Sequence, residues 1–162
     1  MTLPQGYTLR RATATDAPAV ARQRGQMFVD MGRLTPADAA AQQDLWADWL
    51  RGALTSGEYV GVLAECGGAV VGGAGLMFFP QIPTLKDPAT RKAHVLNVSV
   101  DPAYRRRGLA EALTLAVLEE VRARGLRQVT LNAAPMGRPL YDRLGFVEST
   151  HPELHLTLEP SA

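Results

Sequence analysis

Residues 97–110 read NVSVDPAYRRRGLA, an apolar strand that ends at a proline and continues through three arginines into a helix. The first amides of that helix have no partner inside it, and the helix dipole places partial positive charge at the same end. Gly108 allows another group to approach the backbone closely, and the small Ala110 leaves room above the first turn. This strand-to-helix junction therefore predicts an anion-binding loop, or anion cradle, that is best suited to phosphates.

The segments that follow the junction alternate between helix and strand. Apolar residues recur at helical spacing from Leu109 onward, and Gly125 is typical of the residue after a helix end. Beyond it we expect a strand at 127–132, a short helix at 137–144 and two short strands within 146–158.

Two helices are predicted near the start of the chain, after a short alternating strand at 7–11. Thr15 and Asp16 form a helix start, with an oxygen-bearing cap and an acid in the first turn. The second helix opens at 35–38, which reads TPAD, with a cap, a proline at the first helical position and an acid three residues after the cap.

A hairpin connects these helices to the junction. Strands at 58–65 and 69–79 flank Gly67-Gly68, a pair typical of a tight hairpin turn, and the proline-rich segment 80–91 is expected to be a surface loop. Hairpin strands followed by strand-helix-strand, with the next strand at 94–100, predict a mixed sheet with helices on its faces. There is no internal repeat or linker, so we expect one domain over 1–162.

The composition excludes several classes of protein. The chain has 162 residues, 46% hydrophobic and 20% charged, and its net charge is +1, so we expect no nucleic-acid partner and no membrane association. No stretch approaches the roughly 20 apolar residues of a membrane span. Cys66 is the only cysteine, which excludes an intramolecular disulfide and favours a cytoplasmic location, and the abundant arginine and alanine indicate a bacterial source.

The junction also resembles a known motif. Arg105-x-x-Gly108-x-Ala110 after the strand is similar to the acetyl-CoA-binding motif of the GCN5-related N-acetyltransferase (GNAT) family. Residues 138–146, RPLYDRLGF, resemble the YxxLGF segment of the same family. The resemblance covers nearly the whole chain. It implies an α/β fold with a mostly antiparallel sheet of six to seven strands, about four flanking helices and two splayed central strands.

The resemblance implies acetyl-CoA as cosubstrate, without a metal. Val98, Ser99 and Val100 would pair their backbone with the pantetheine arm, as an added strand would, and Asn132 would contact the same arm. The residues that would hold the pyrophosphate are Arg105, Arg106, Arg107, Gly108, Leu109 and Ala110.

The resemblance also supplies an acid. Tyr141 matches the tyrosine that lies near the sulfur and protonates the departing thiolate, and a phenol with a pKa near 10 stays protonated at neutral pH. The alternative is a purely structural role, in which Tyr141 is a packing residue of its short helix. Backbone amides near Val98 are the candidate oxyanion donors.

The general base is left open. The central strand often carries a glutamate in this family, whereas residues 94–100 contain no carboxylate. His94 has a suitable pKa but lies at the beginning of the strand. Asn97 or Ser99 could position a water. Carboxylates that could reach the pocket from other elements are Asp30, Glu58 and Glu65.

The leading function is transfer of an acetyl group from acetyl-CoA to a primary amine. Two alternatives remain: a catalytically silent CoA-binding sensor or interaction module, and an acyltransferase that uses a longer acyl-CoA. The histidines show no metal-ligand spacing with Cys66 or with paired acids, so we expect no metal site.

The acceptor, a small-molecule or peptide amine, should bind between the first two helices and the 80–91 loop. Trp46 and Trp49 are expected to be core or interface residues, and a homodimer is possible. The acids in the first two helices that could attract a cationic amine are Asp30, Asp38, Asp44 and Asp48.

Overall fold

The computed structural model describes residues 3–151 and 153–160 and divides into two compact units, of which the first ends at Asn132 and the second begins at Ala133. The elements of the first unit are β1 (Tyr7–Arg11), α1 (Ala17–Asp30), α2 (Pro36–Ser56), β2 (Tyr59–Cys66), β3 (Ala69–Pro80), β4 (Arg91–Val100), α3 (Leu109–Ala123) and β5 (Val129–Leu131). The second unit contains α4 (Arg138–Arg143). No helix in the described ranges is long and apolar enough to cross a bilayer.

The sheet is mixed and mostly antiparallel, as predicted, in the order β1-β2-β3-β4-β5. Only the β4–β5 pair is parallel, and it extends over three positions, from Ala93 opposite Val129 to Val95 opposite Leu131. The predicted count of six to seven strands is wrong, because the sheet formed by the described residues has five.

The missing strands are those expected within 146–158. Residues 146–151 and 153–158 contain no strand, and Pro152 lies outside the described residues. Ser149 forms local bonds with the backbone of His151, its Oγ accepting from the amide at 3.1 Å, and such bonds compete with strand pairing. The apolar side chains that alternate further on, such as Leu154 and Leu156, are exposed, so no face of a strand is buried there.

The second helix starts at its predicted cap, whereas the first does not. The predicted cap Thr15 lies inside a short 3-10 turn, Ala14–Asp16, that precedes α1, and the side chain of Asp16 accepts from the Thr13 amide at 2.7 Å instead of capping α1. The amide of Asp38 donates to Thr35 Oγ1 at 3.1 Å and the carboxylate of Asp38 accepts from the Thr35 amide at 3.4 Å, which completes the predicted capping box of α2. Gly125, with φ of 69°, follows the end of α3 as expected.

The sheet has a core on each face. Alternate residues of β2 and β3 pack with the buried face of α3, which carries Leu109, Leu113 and Val117. On the opposite face, Tyr59 and Leu63 of β2 pack with α1 and α2. Within the first unit, α1 and α2 thus lie on one side of the sheet and α3 on the other, and the loop before α3 leaves from the end of β4.

A bulge interrupts β4 between its two pairing segments. Gly75 of β3 lies opposite Leu96, whereas Gly73 lies opposite Ser99, so β4 contains one extra residue between these pairs. Asn97 lies in this bulge with φ of 53°, in the left-handed region. Pairing with β5 ends before the bulge, and β4 continues to Val100.

Candidate functional site

The loop at residues 105–108 has the geometry of an anion cradle. Gly108 is the N-cap of α3 with φ of 79°, and a Cβ at this position would meet no atom within 4 Å. The first backbone bond of the helix runs from the amide of Ala112 to the carbonyl of Gly108, at 3.0 Å. The amides between these residues therefore have no partner within the helix and remain available to an anion.

The three arginines of this loop have different surroundings. Arg105 donates from Nε to the Val100 carbonyl at 2.8 Å and pairs with Asp30 on α1. Arg107 donates to the hydroxyl of Tyr7 at 2.9 Å. Arg106, with φ of 61°, has no hydrogen-bond or ion-pair partner among the described residues. Among the described residues, Arg106 is thus the arginine of this loop whose side chain has no bonded neighbour.

Most of the other residues predicted to bind the cofactor, at 98–100 and 109–110, have buried or half-buried side chains. Ser99 and Val100 are buried and Val98 is half-buried at the end of β4, so their backbone is what they can offer a ligand. Leu109 is buried in the core under α3, and Ala110 is half-buried. A ligand at this end of α3 would therefore meet main-chain groups, as the motif implies.

The other two predicted residues lie on either side of the division between units. Asn132 is exposed and follows β5 directly, at the end of the first unit. Tyr141 lies on α4 of the second unit, where its ring makes an edge-to-face contact with Phe146 at 5.9 Å between centroids. Burial raises the pKa of Tyr141 above its ordinary value, so its hydroxyl is protonated at neutral pH.

A second feature of the first unit is a cavity of about 240 Å³ between α1, α2 and the sheet. We call it the tryptophan cavity because both tryptophans of the chain line it. Its lining residues are Arg24, Trp46, Trp49, Leu50, Tyr59, Met77, Leu96 and Asn97. The cavity thus reaches the bulge of β4 from the side of the first two helices.

A chain of polar groups forms one wall of the cavity. Arg24 donates from Nη1 to Asn97 Oδ1 at 2.7 Å, and Asn97 donates from Nδ2 to the hydroxyl of Tyr59 at 3.2 Å. Burial raises the pKa of Tyr59 to about 12. The Tyr59 hydroxyl occupies the space above Gly75, where a Cβ would lie 2.0 Å from it.

The candidate carboxylates are not among the residues that line the cavity, and Glu58 is exposed. Asp30 accepts from Gln26 at 2.7 Å and pairs with Arg105, and Glu65 pairs with Arg10 at 2.7 Å. None of the residues that line the cavity is a carboxylate. His94, three residues before Asn97 on β4, forms a 2.8 Å hydrogen bond with Thr130 and is not among the residues that line the cavity.

The acids expected to attract an amine are also outside the cavity lining. Asp38 completes the cap of α2, Asp48 pairs with Arg51 at 2.7 Å, and Asp44 is exposed. The charged residue that does line the cavity, Arg24, was not among the predicted site residues. Its sequence signal was its position four residues after Val20 and four before Phe28, on one helix face with both.

Metal ligands are not gathered at either feature. Within the described ranges, no group of three or more histidine, cysteine, aspartate or glutamate side chains is placed to hold a metal ion.

Comparison with known proteins identifies the family. Residues 26–146 match the model of the acetyltransferase (GNAT) family, so the chain belongs to this family of acetyltransferases, which use acetyl-CoA. The N-acetyltransferase YjgM of Escherichia coli is 30% identical over 146 residues, which cover 88% of this chain and 83% of that protein.

Two further relatives differ in how much they share. A crystal structure of a GCN5-related N-acetyltransferase from Ralstonia eutropha has a TM-score of 0.84 and 35% identity, over 93% of this chain and 99% of that one. A glucosamine 6-phosphate N-acetyltransferase from Trypanosoma brucei brucei is 35% identical over 79 residues, 49% of this chain. The match spans about half, 52%, of the length of that relative.

Proposed function

We propose that this protein transfers the acetyl group of acetyl-CoA to the nitrogen of a primary amine. The observation that carries the proposal is the end of α3, where Gly108 has a positive φ and open space above it in a chain of the GNAT family. A diphosphate needs a close approach to several amides at once, and a side chain at this position would obstruct it.

The residues near this end have distinct roles. The amides of 105–110 hold the pyrophosphate, and Arg106 adds a charge that no other described residue neutralises. The end of β4, at Val98, Ser99 and Val100, pairs with the pantetheine arm, which Asn132 also contacts. This arrangement accounts for the early end of the β4–β5 pairing, since the arm occupies the place of a neighbouring strand.

The chemistry is a direct attack. The neutral amine forms a C–N bond with the thioester carbonyl carbon, and backbone amides near Val98 stabilise the oxyanion. Collapse of the tetrahedral intermediate breaks the C–S bond. Tyr141 donates its proton to the departing thiolate and regains one from solvent, while the new amide nitrogen gives its extra proton to water. We assign this role to water because no carboxylate of the described residues lines the tryptophan cavity.

The proposal is tested by placing an acid at each end of α3. Gly108→Asp puts bulk and negative charge where the diphosphate approaches, so we expect at least about a hundredfold loss of acetyl-CoA affinity by calorimetry. For the unchanged protein, acetyl-CoA at a hundredfold excess over its Kd should add about 2.7 kcal/mol to the free energy of unfolding.

Gly125→Asp is the matched control. Gly125 also has a positive φ, 69°, and open space, but it follows the C-terminal end of the same helix. An acid there is less favourable for the helix dipole than one at the N-terminal end, so Gly125→Asp is expected to be the less stable variant and yet to keep its affinity. Equal affinity of the Gly108→Asp and unchanged proteins for acetyl-CoA would contradict the proposal.

A further inference from the structure

The tryptophan cavity contains a positive charge that the protein itself does not neutralise. Arg24 is half-buried, and in the ranges 3–151 and 153–160 no carboxylate forms an ion pair with it. Its guanidinium lies over the ring of Phe28 at 4.7 Å and that of Trp46 at 5.5 Å. Burial lowers the pKa of Arg24 from its usual value, yet a guanidinium keeps its charge.

Two other arginines near the sheet form ion pairs. Arg10 binds Asp16 at 2.8 Å, and Arg22, two residues before Arg24 on α1, lies 3.4 Å from Asp101. Arg24 has five N–H donors and, within the part of the chain that the structure describes, makes one side-chain hydrogen bond, to Asn97. A half-buried guanidinium with unused donors is suited to bind the anionic group of a ligand.

The other residues that line the cavity indicate which class of ligand it can bind. Trp46, Trp49, Leu50, Met77 and Leu96 present an apolar surface, and no acid lies among the lining residues. This surface does not fit a polycation such as a polyamine. It fits a small molecule with an apolar body and a single anionic group, and the volume of about 240 Å³ lies just below the ~300–1,000 Å³ of typical ligand sites.

The position of Arg24 limits the distance between the anion and the reacting nitrogen. Arg24 Nη1 lies 2.7 Å from the side chain of Asn97, which is in the bulge of β4. The residues just beyond the bulge, 98–100, are those assigned above to the pantetheine arm. An acceptor whose anion binds Arg24 must therefore present its amine close to that anion, as an α-amino acid does.

On the basis of the function proposed above, we infer that the acceptor is a free α-amino acid with a large apolar side chain. Its carboxylate binds the guanidinium of Arg24, its side chain packs between Trp46 and Leu96, and its amine faces the acetyl group. The transfer forms the N–C bond of an N-acetylamino acid and releases CoA as the thiol.

The test compares two acceptors that differ by one carboxylate, L-phenylalanine and phenethylamine, by thiol release at saturating acetyl-CoA. We expect Arg24→Gln to lower kcat/KM for phenylalanine by about tenfold or more and to leave that for phenethylamine within about twofold. For each amine, kcat/KM of the variant is divided by that of the wild type, because the two amines differ in basicity and their absolute values are not comparable. Arg22→Gln, which removes a paired arginine of the same helix, should change neither value.

Tryptophan fluorescence gives a second readout that does not require catalysis. Both tryptophans line the cavity, so N-acetyl-L-phenylalanine should change their emission, with a Kd about tenfold higher in Arg24→Gln. Equal loss for both acceptors, or no effect of Arg24→Gln on either measurement, would overturn the inference while the acetyltransferase proposal stands. If no amine releases thiol, the Kd shift alone decides the inference, and acetyl-CoA binding decides the function.

Discussion

The 105–108 loop and the tryptophan cavity both contain arginine, but they present it in opposite ways. In the loop the arginines are exposed, and Arg105 and Arg107 are already bonded to neighbours, so backbone amides are the main anion donors. In the cavity a single half-buried guanidinium, that of Arg24, has no ion-pair partner among the described residues. A charge screened by water contributes little, whereas a desolvated one contributes more. Arginine substitutions should therefore have small effects in the loop and large ones in the cavity.

The largest expected effect concerns a step that neither region performs. In the proposed function, Tyr141 donates the proton to the departing thiolate. Tyr141→Phe should lower kcat by about 10²–10⁴-fold and leave KM for acetyl-CoA nearly unchanged. Thiol release with one accepted amine measures both values. Tyr104→Phe, which removes a hydroxyl next to the loop, should keep kcat, and an unchanged kcat in Tyr141→Phe would leave Tyr141 with a packing role.

The second effect tests how well the cavity wall is desolvated. Tyr59 has a pKa of about 12 in the folded protein, against about 10 in an unfolded chain. As pH rises from 10 to 12 the unfolded chain loses this proton first, so the contribution to the free energy of unfolding, complete below pH 10, declines by about 2–3 kcal/mol. Urea unfolding of Tyr59→Phe should lack this decline. Parallel pH dependence in both proteins would mean that Tyr59 is solvated.

The third effect concerns Gly75, which packs against the Tyr59 hydroxyl in the wall of the tryptophan cavity. A Cβ at Gly75 would overlap the Tyr59 hydroxyl, whereas one at Gly108 would meet nothing within 4 Å. Gly75→Ala should therefore lower the free energy of unfolding by about 1–3 kcal/mol and weaken binding of N-acetyl-L-phenylalanine. Gly52→Ala, on α2 with open space, should instead stabilise by about 0.5–1 kcal/mol. Calorimetric unfolding of both variants checks the difference, and equal stability would mean that Tyr59 moves without cost.

The smallest effect is that of Arg105→Ala. Because Arg105 is exposed and bonded to Asp30 and to the Val100 carbonyl, we expect acetyl-CoA affinity to fall only about two- to fivefold. Calorimetry at low and high salt measures the change. A loss as large as that of Gly108→Asp would reverse the contrast between the loop and the cavity.

The two regions also differ in how far the sequence predicts them. The 105–108 loop is local: a strand, a basic turn, Gly108 and a helix follow one another within fourteen residues, so the pattern is visible in the chain. The capping box at Thr35 and the turn at Gly67-Gly68, where both glycines have positive φ, were predictable for the same reason. Short-range geometry depends on adjacent residues alone.

The tryptophan cavity is not local. It gathers residues of two helices and three strands, and Asn97 faces Arg24 because a bulge gives it a positive φ that no neighbouring glycine or proline signals. The acids of the first two helices were chosen on charge alone, without knowledge of their partners. The strands expected within 146–158 also depend on distant residues, because a strand needs a partner strand and a buried face that the segment itself does not contain.

The central claim, that the chain transfers acetyl groups from acetyl-CoA, is tested most directly with acetyl-CoA labelled with carbon-13 in its acetyl group. The protein is incubated with this cosubstrate and L-phenylalanine, and products are identified by mass spectrometry while free thiol is counted. We predict labelled N-acetylphenylalanine and an equal amount of CoA, both lost in Gly108→Asp and retained in Gly125→Asp. Absence of any labelled amide across a broad panel of amines, from a folded sample whose melting temperature acetyl-CoA does not raise, would contradict the account.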